Sequence, residues 1–86
     1  MRLIETSKLK RLRKKIKENH EKEALRLAVA RIWEYPEEGK RLKGEFKELR
    51  SFSYTAKGQN RRLIYKLEEG TIVLLSFGPR EGAYKK

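Results

Sequence analysis

Leu9, Leu12 and Ile16 recur at i, i+3 and i+7, the spacing of one narrow apolar stripe on a helix. Thr6 or Ser7 can cap that helix, which is expected to run to about residue 19. Asn19 then caps a second helix, with Glu21 and Glu23 in its first turn, where the macrodipole favours acids. Leu25, Ala28, Val29, Ile32 and Trp33 form its wider stripe, and Tyr35 before Pro36 ends it. Two adjacent helices predict a helical hairpin whose apolar faces rest on something else.

The second half supplies a sheet. Residues 36–45 are rich in breakers and charge and read as a loop. Residues 47–55, 61–67 and 71–77 read as strands separated by tight turns. The last of these, TIVLLSF, is apolar on both faces and suits a covered strand. Residues 2–5 are a short strand or a lead-in. The expected fold class is therefore α+β, one domain over residues 1–86. An N-terminal helical hairpin packs on a three- to four-stranded antiparallel sheet. In the strand 61–67, a period of two groups Leu63, Tyr65 and Leu67 towards the helices and Arg62, Ile64 and Lys66 away from them. In the strand before it, Arg50, Phe52 and Tyr54 share one parity and Ser51, Ser53 and Thr55 the other, and a bulge would exchange their faces.

Composition sharpens this picture. There are no cysteines and one histidine, so disulfides, cysteine-based zinc sites and thiol catalysis are excluded, and so are most histidine triads. No apolar run has the ~20 residues that a membrane span needs, and no secretory h-region opens the chain. A cytoplasmic location is expected. The net charge of +11 favours polyanionic partners. Seven of the ten residues 8–17 are Lys or Arg; they read as a solvated helix face, with ribosomal RNA or an acidic protein as the sharper interpretation. Trp33, Tyr65 and Phe77 read as core. His20 reads as a helix-start residue with no chemistry.

Four segments in order carry a resemblance. They are Leu42-Lys43-Gly44, Arg61-Arg62-Leu63-Ile64-Tyr65, the apolar strand 71–77, and Pro79-Arg80-Glu81-Gly82-Ala83-Tyr84. The chain resembles RelE/ParE-family toxins of type II toxin–antitoxin systems, most closely archaeal RelE proteins. The resemblance implies a metal-independent endoribonuclease that uses no cofactor and cleaves mRNA in the ribosomal A site. It also implies a cognate antitoxin, expected to be acidic and partly disordered, with the ribosome and mRNA as further partners and no membrane. The alternatives are a ParE-like inhibitor of DNA gyrase that catalyses nothing, and a basic RNA-binding protein of the translation machinery.

By residue matching, Arg62 corresponds to a strand arginine on the scissile phosphate. Arg80 corresponds to a phosphate stabiliser or proton donor, and Tyr84 to a tyrosine that stacks on or positions a base. Lys43, Arg50, Lys57 and Arg61 are expected RNA contacts. One departure stands out. The family often carries two basic residues on the strand before the arginine strand, one a candidate general base. Here only Arg50 matches, and arginine stays protonated. Lys57, in the hairpin turn, is the candidate substitute.

Overall fold

Thr6 begins the first helix as the pattern predicts. The structure is a computed structural model that describes residues 1–79. Helix α1 (Ser7–Lys14) is capped by the Thr6 hydroxyl, which accepts from the Leu9 amide at 3.2 Å and donates to the Leu74 carbonyl at 2.9 Å. One side chain thus caps the helix and ties it to the sheet. Helix α1 stops earlier than expected. The Lys15 and Ile16 amides close onto the carbonyls of Leu12 and Arg13, a tightened last turn. Arg11, Arg13 and Lys14 lie in that turn, where cations complement the dipole.

Helix α2 (Asn19–Glu34) starts at the residue expected to cap it, one residue early. Glu18 is its N-cap and makes no side-chain cap bond. The helix ends before Pro36, as the proline requires.

The sheet has five strands rather than three or four. They are β1 (Arg2–Glu5), β2 (Lys40–Arg41), β3 (Leu49–Ala56), β4 (Gln59–Glu68) and β5 (Thr71–Pro79), in the order β1-β5-β4-β3-β2. Residues 2–5 do join the sheet, but parallel to β5. The other pairings are antiparallel. Strand β2 was hidden in the breaker-rich segment, because two residues carry no periodicity. Between β2 and β3 lies a single 3-10 turn, Gly44–Phe46. The β3–β4 hairpin turns on Lys57 and Gly58, both at positive φ (54° and 75°), the conformation of a type I′ turn.

Both helices lie on one face, α1 over β5 and α2 over β3. Leu9, Ile16, Leu25, Ala28 and Ile32 from the helical layer meet Leu63, Tyr65, Ile72 and Leu74 from the sheet. Phe52 and Tyr54 pack against this core, which settles the parity of β3: Ser51 and Ser53 face the other way. A bulge does occur, but it falls on β5 opposite Ile64 and Tyr65. It lets Ile72, Leu74 and Phe77 all join the core. Trp33 corrects the expectation: it is 45% exposed, because Ile32 and Ala28 take the inward positions of α2. No helix among the described residues is long and apolar enough to cross a membrane.

Candidate nucleic-acid interface

Two arginines stand next to each other on β4, and the strand's period of two sends them to opposite faces. Arg61 turns towards the helices. Its Nη2 lies 2.6 Å from Glu21 Oε1, and both side chains are only 19% exposed. Tyr54 sits opposite it on β3; burial pushes the Tyr54 hydroxyl up to about 12, against the pull of the Arg61 charge. Arg61 therefore fastens the start of α2 to the sheet.

Arg50 is committed in the same way. Its Nη1 donates to the carbonyls of Glu37 (3.1 Å) and Gly39 (2.9 Å). Beside it the Tyr65 hydroxyl donates to the Pro36 carbonyl at 2.6 Å and accepts from the Gly39 amide at 2.9 Å. Together they clamp the connection from α2 to β2. Gly39 has no substitute there, since a Cβ would overlap the Tyr65 ring and hydroxyl. Burial raises the Tyr65 hydroxyl from its ordinary value; the Gly39 amide and Arg50 pull against that rise.

Arg62 points away from the helices. Its direct neighbours are Ser53 on β3 and Gly78 on β5. One step along the face, Ile64 lies between Ser51 and Ser76. The arginine thus rises from a lane of small residues. A Cβ at Gly78 would meet no atom within 4 Å. The Ser51 hydroxyl is buried and has no hydrogen-bond partner. No ion pair among the described residues involves Arg62. A half-buried, uncommitted guanidinium with small neighbours is suited to bidentate contact with a phosphate.

The family profile described as "ParE-like toxin of type II bacterial toxin-antitoxin system" matches residues 3–86, nearly the whole chain. The chain belongs to the ParE-like toxin family. It is therefore a toxin of a type II system, and a cognate antitoxin is its partner. No curated protein matches it.

Two further expected site residues of the toxin, Lys57 and Lys43, are among the described residues. Lys57 sits at the hairpin turn, with its ammonium 3.2 Å from Glu18. Lys43 is exposed ahead of the 3-10 turn. Arg80 and Tyr84 lie outside the described residues. The fold therefore separates Arg62 from Arg50 and Arg61 by the thickness of the sheet.

Lys66 shares the face of Arg62, as the parity of β4 predicts, although the resemblance assigns it no role. It lies roughly 13 Å along the strand from Arg62, by the rise per residue. Its ammonium is 3.1 Å from Glu68, whose carboxylate holds the Lys66 pKa above its ordinary value.

Proposed function

We propose that the toxin acts on mRNA at the ribosome, and that the helix-free face of its sheet is the working surface, with Arg62 on the scissile phosphate. The observation that supports this is the position of Arg62. It is the one arginine of β3 and β4 left uncommitted, and Ser53 and Gly78 leave space beside it. Cleavage of RNA at a 2′-hydroxyl needs charge stabilisation on the pentacoordinate phosphate, which a fixed guanidinium supplies. It also needs proton transfer from the attacking hydroxyl and to the leaving oxygen. The resemblance gives Arg80 a share of the phosphate or the proton donation, and gives Tyr84 the base. Stacking a base on an aromatic ring beside an arginine is a common way to hold a splayed nucleotide.

A second reading, inhibition of DNA gyrase without catalysis, is favoured by one specific observation. Arg50, the single basic match on β3, is spent on two carbonyls of the opposite face. Lys66, on the same face as Arg62, is kept protonated by Glu68 and is poorly suited to accept a proton. Primer extension on mRNA in a translating extract separates the two. Codon-phased breaks that vanish with Arg62→Ala support the nuclease. Growth arrest with no translation-dependent breaks moves the target to gyrase or another non-nucleolytic site.

A further inference from the structure

Residues 8–17 carry seven cations and no acid, against a net charge of +11 for the whole chain. Arg13 is committed to Glu5 at 2.7 Å. Lys8, Lys10, Arg11, Lys14 and Lys15 are exposed and take part in no ion pair among the described residues. At 3.6 residues per turn these five spread over an arc of roughly 160°, centred opposite Leu9. Leu9 is 1% exposed and seats α1 on the core. The outer half of α1 is thus a half-cylinder of unpaired positive charge. Lys8 with Arg11, Arg11 with Lys14 and Lys10 with Lys14 are like charges three or four residues apart, a spacing that weakens a helix. The exposed side of α2 is built differently: Arg26 and Arg31 each hold a glutamate. A surface that serves solubility mixes the two signs, whereas one that keeps its self-repulsion is complementary to a polyanion.

Three features narrow the polyanion. No Phe, Trp or Tyr occurs in residues 1–32, so α1 offers no such ring on which to stack the bases of a single strand. Charge over nearly half a circumference meets phosphates on two sides at once, as the walls of a groove present them. A helix of ordinary girth, about 10–12 Å, enters the major groove of B-form DNA, about 12 Å wide, whereas the deep groove of A-form RNA is too narrow for it. We propose that α1 docks in the major groove of duplex DNA, with its five free cations on the phosphates of both walls. Four of the five are lysines, flexible point charges, so the contact is independent of base sequence. The inference rests neither on the RNA reading of Arg62 nor on membership of the toxin family. Arg62 lies on the other face of the sheet from α1 and takes no part in it.

The test titrates a fluorescein-labelled DNA duplex of about 20 base pairs with the whole toxin and reads fluorescence anisotropy. Binding in the micromolar range is expected at near-physiological salt, whatever the base sequence. The logarithm of the binding constant should fall against the logarithm of salt with a slope of about −4, as for four or five neutralised phosphates. The triple variant Lys10→Gln, Arg11→Gln, Lys14→Gln should bind at least about tenfold more weakly, with a slope flatter by about 2 to 3. Its melting temperature should not fall, because glutamine is a good helix former and the like-charge pairs are gone. The pair Lys8→Gln, Lys15→Gln puts the same question to the other side of the arc and should also weaken binding and flatten the slope. The control Lys40→Gln, Arg41→Gln, Lys47→Gln removes the same charge from the β2 side of the molecule and should bind nearly as the parent does, as should Arg62→Ala. An RNA duplex of the same sequence should bind several-fold more weakly. No binding to DNA would overturn the proposal, as would an equal loss in the β2-side control. Equal or tighter binding of the RNA duplex would remove the major groove as the site. Displacement of the DNA by poly-glutamate at equal charge would also overturn it, since the arc would then serve an acidic protein. A failed primer-extension result at Arg62 would leave these outcomes unaffected, so the two proposals fail separately.

Discussion

The two faces of one sheet spend the same residue types in different ways. On the helix side, large apolar side chains interlock, and Arg61, Arg50 and Tyr65 tie the layers together. Arg61 holds Glu21, and Arg50 and Tyr65 hold the backbone between α2 and β2. On the other side, Ser53 and Gly78 flank one arginine that forms no ion pair among the described residues. The comparison teaches that basic residues in a highly charged chain cannot be assigned by type. Arg61 and Arg62 are neighbours in sequence, yet one fastens a helix and the other stands on the opposite face of the sheet. What decides between them is which side of the strand each occupies.

That contrast can be broken from the helix side first. Leu63 is fully buried at the centre of the core. Leu63→Ala should cost about 2–5 kcal/mol, the usual range for a core leucine truncated to alanine, measured by urea unfolding. Tyr65→Phe should cost less, about 1–3 kcal/mol, since the Gly39 amide then loses its acceptor. Hydrogen exchange at Gly39 should quicken in the same variant.

A pH series probes the same face. The Tyr54 hydroxyl is held at about 12 by burial. A pKa raised on folding means that the folded state keeps a proton the unfolded chain gives up. The contribution of Tyr54 is therefore complete below pH 10, and it is lost as pH rises through about 12. The parent protein should lose stability over that interval more steeply than Tyr54→Phe, in thermal melts recorded from pH 9 to 12.

The smallest effects on stability belong to the opposite face. Arg62→Ala should change unfolding by no more than about 0.5 kcal/mol, as is usual for a residue without committed partners. Any affinity of the parent for RNA should fall steeply with salt, because neutralised phosphates release counterions. A flat salt response would mean that the charge of +11 plays no part in RNA binding.

Much of the fold was legible because periodicity is a strong signal over long elements. The stripe Leu25, Ala28 and Ile32 fixed the inward side of α2, and Leu63 with Tyr65 fixed the inward side of β4. Three features escaped for physical reasons. Strand β2 is too short to show a period. The parallel pairing of β1 depends on how the chain crosses back to the sheet, which no local pattern encodes. Trp33 looked like core because an apolar stripe on a helix says nothing about where its partner layer ends.

The site was less legible than the fold. Arg62 was found through the resemblance, and its parity puts it on the face opposite the two helices. Arg50 and Arg61 were expected to contact RNA. Their partners, two backbone carbonyls and Glu21, are distant in sequence and invisible to any motif. Lys57, the candidate for the missing base, does lie in the hairpin turn, and its ammonium is beside Glu18. Arg80 and Tyr84 lie outside the described residues.

The most direct test of the contrast between the faces is growth arrest on induction of the parent toxin, Arg61→Ala and Arg62→Ala, with soluble protein and melting temperature measured in the same cultures. Arg62→Ala should accumulate and melt like the parent yet fail to arrest growth, while Arg61→Ala should melt lower, and any toxicity it loses should follow its loss of folded protein. Full arrest by a well-folded Arg62→Ala would contradict the account and remove the helix-free face as the toxin's working surface.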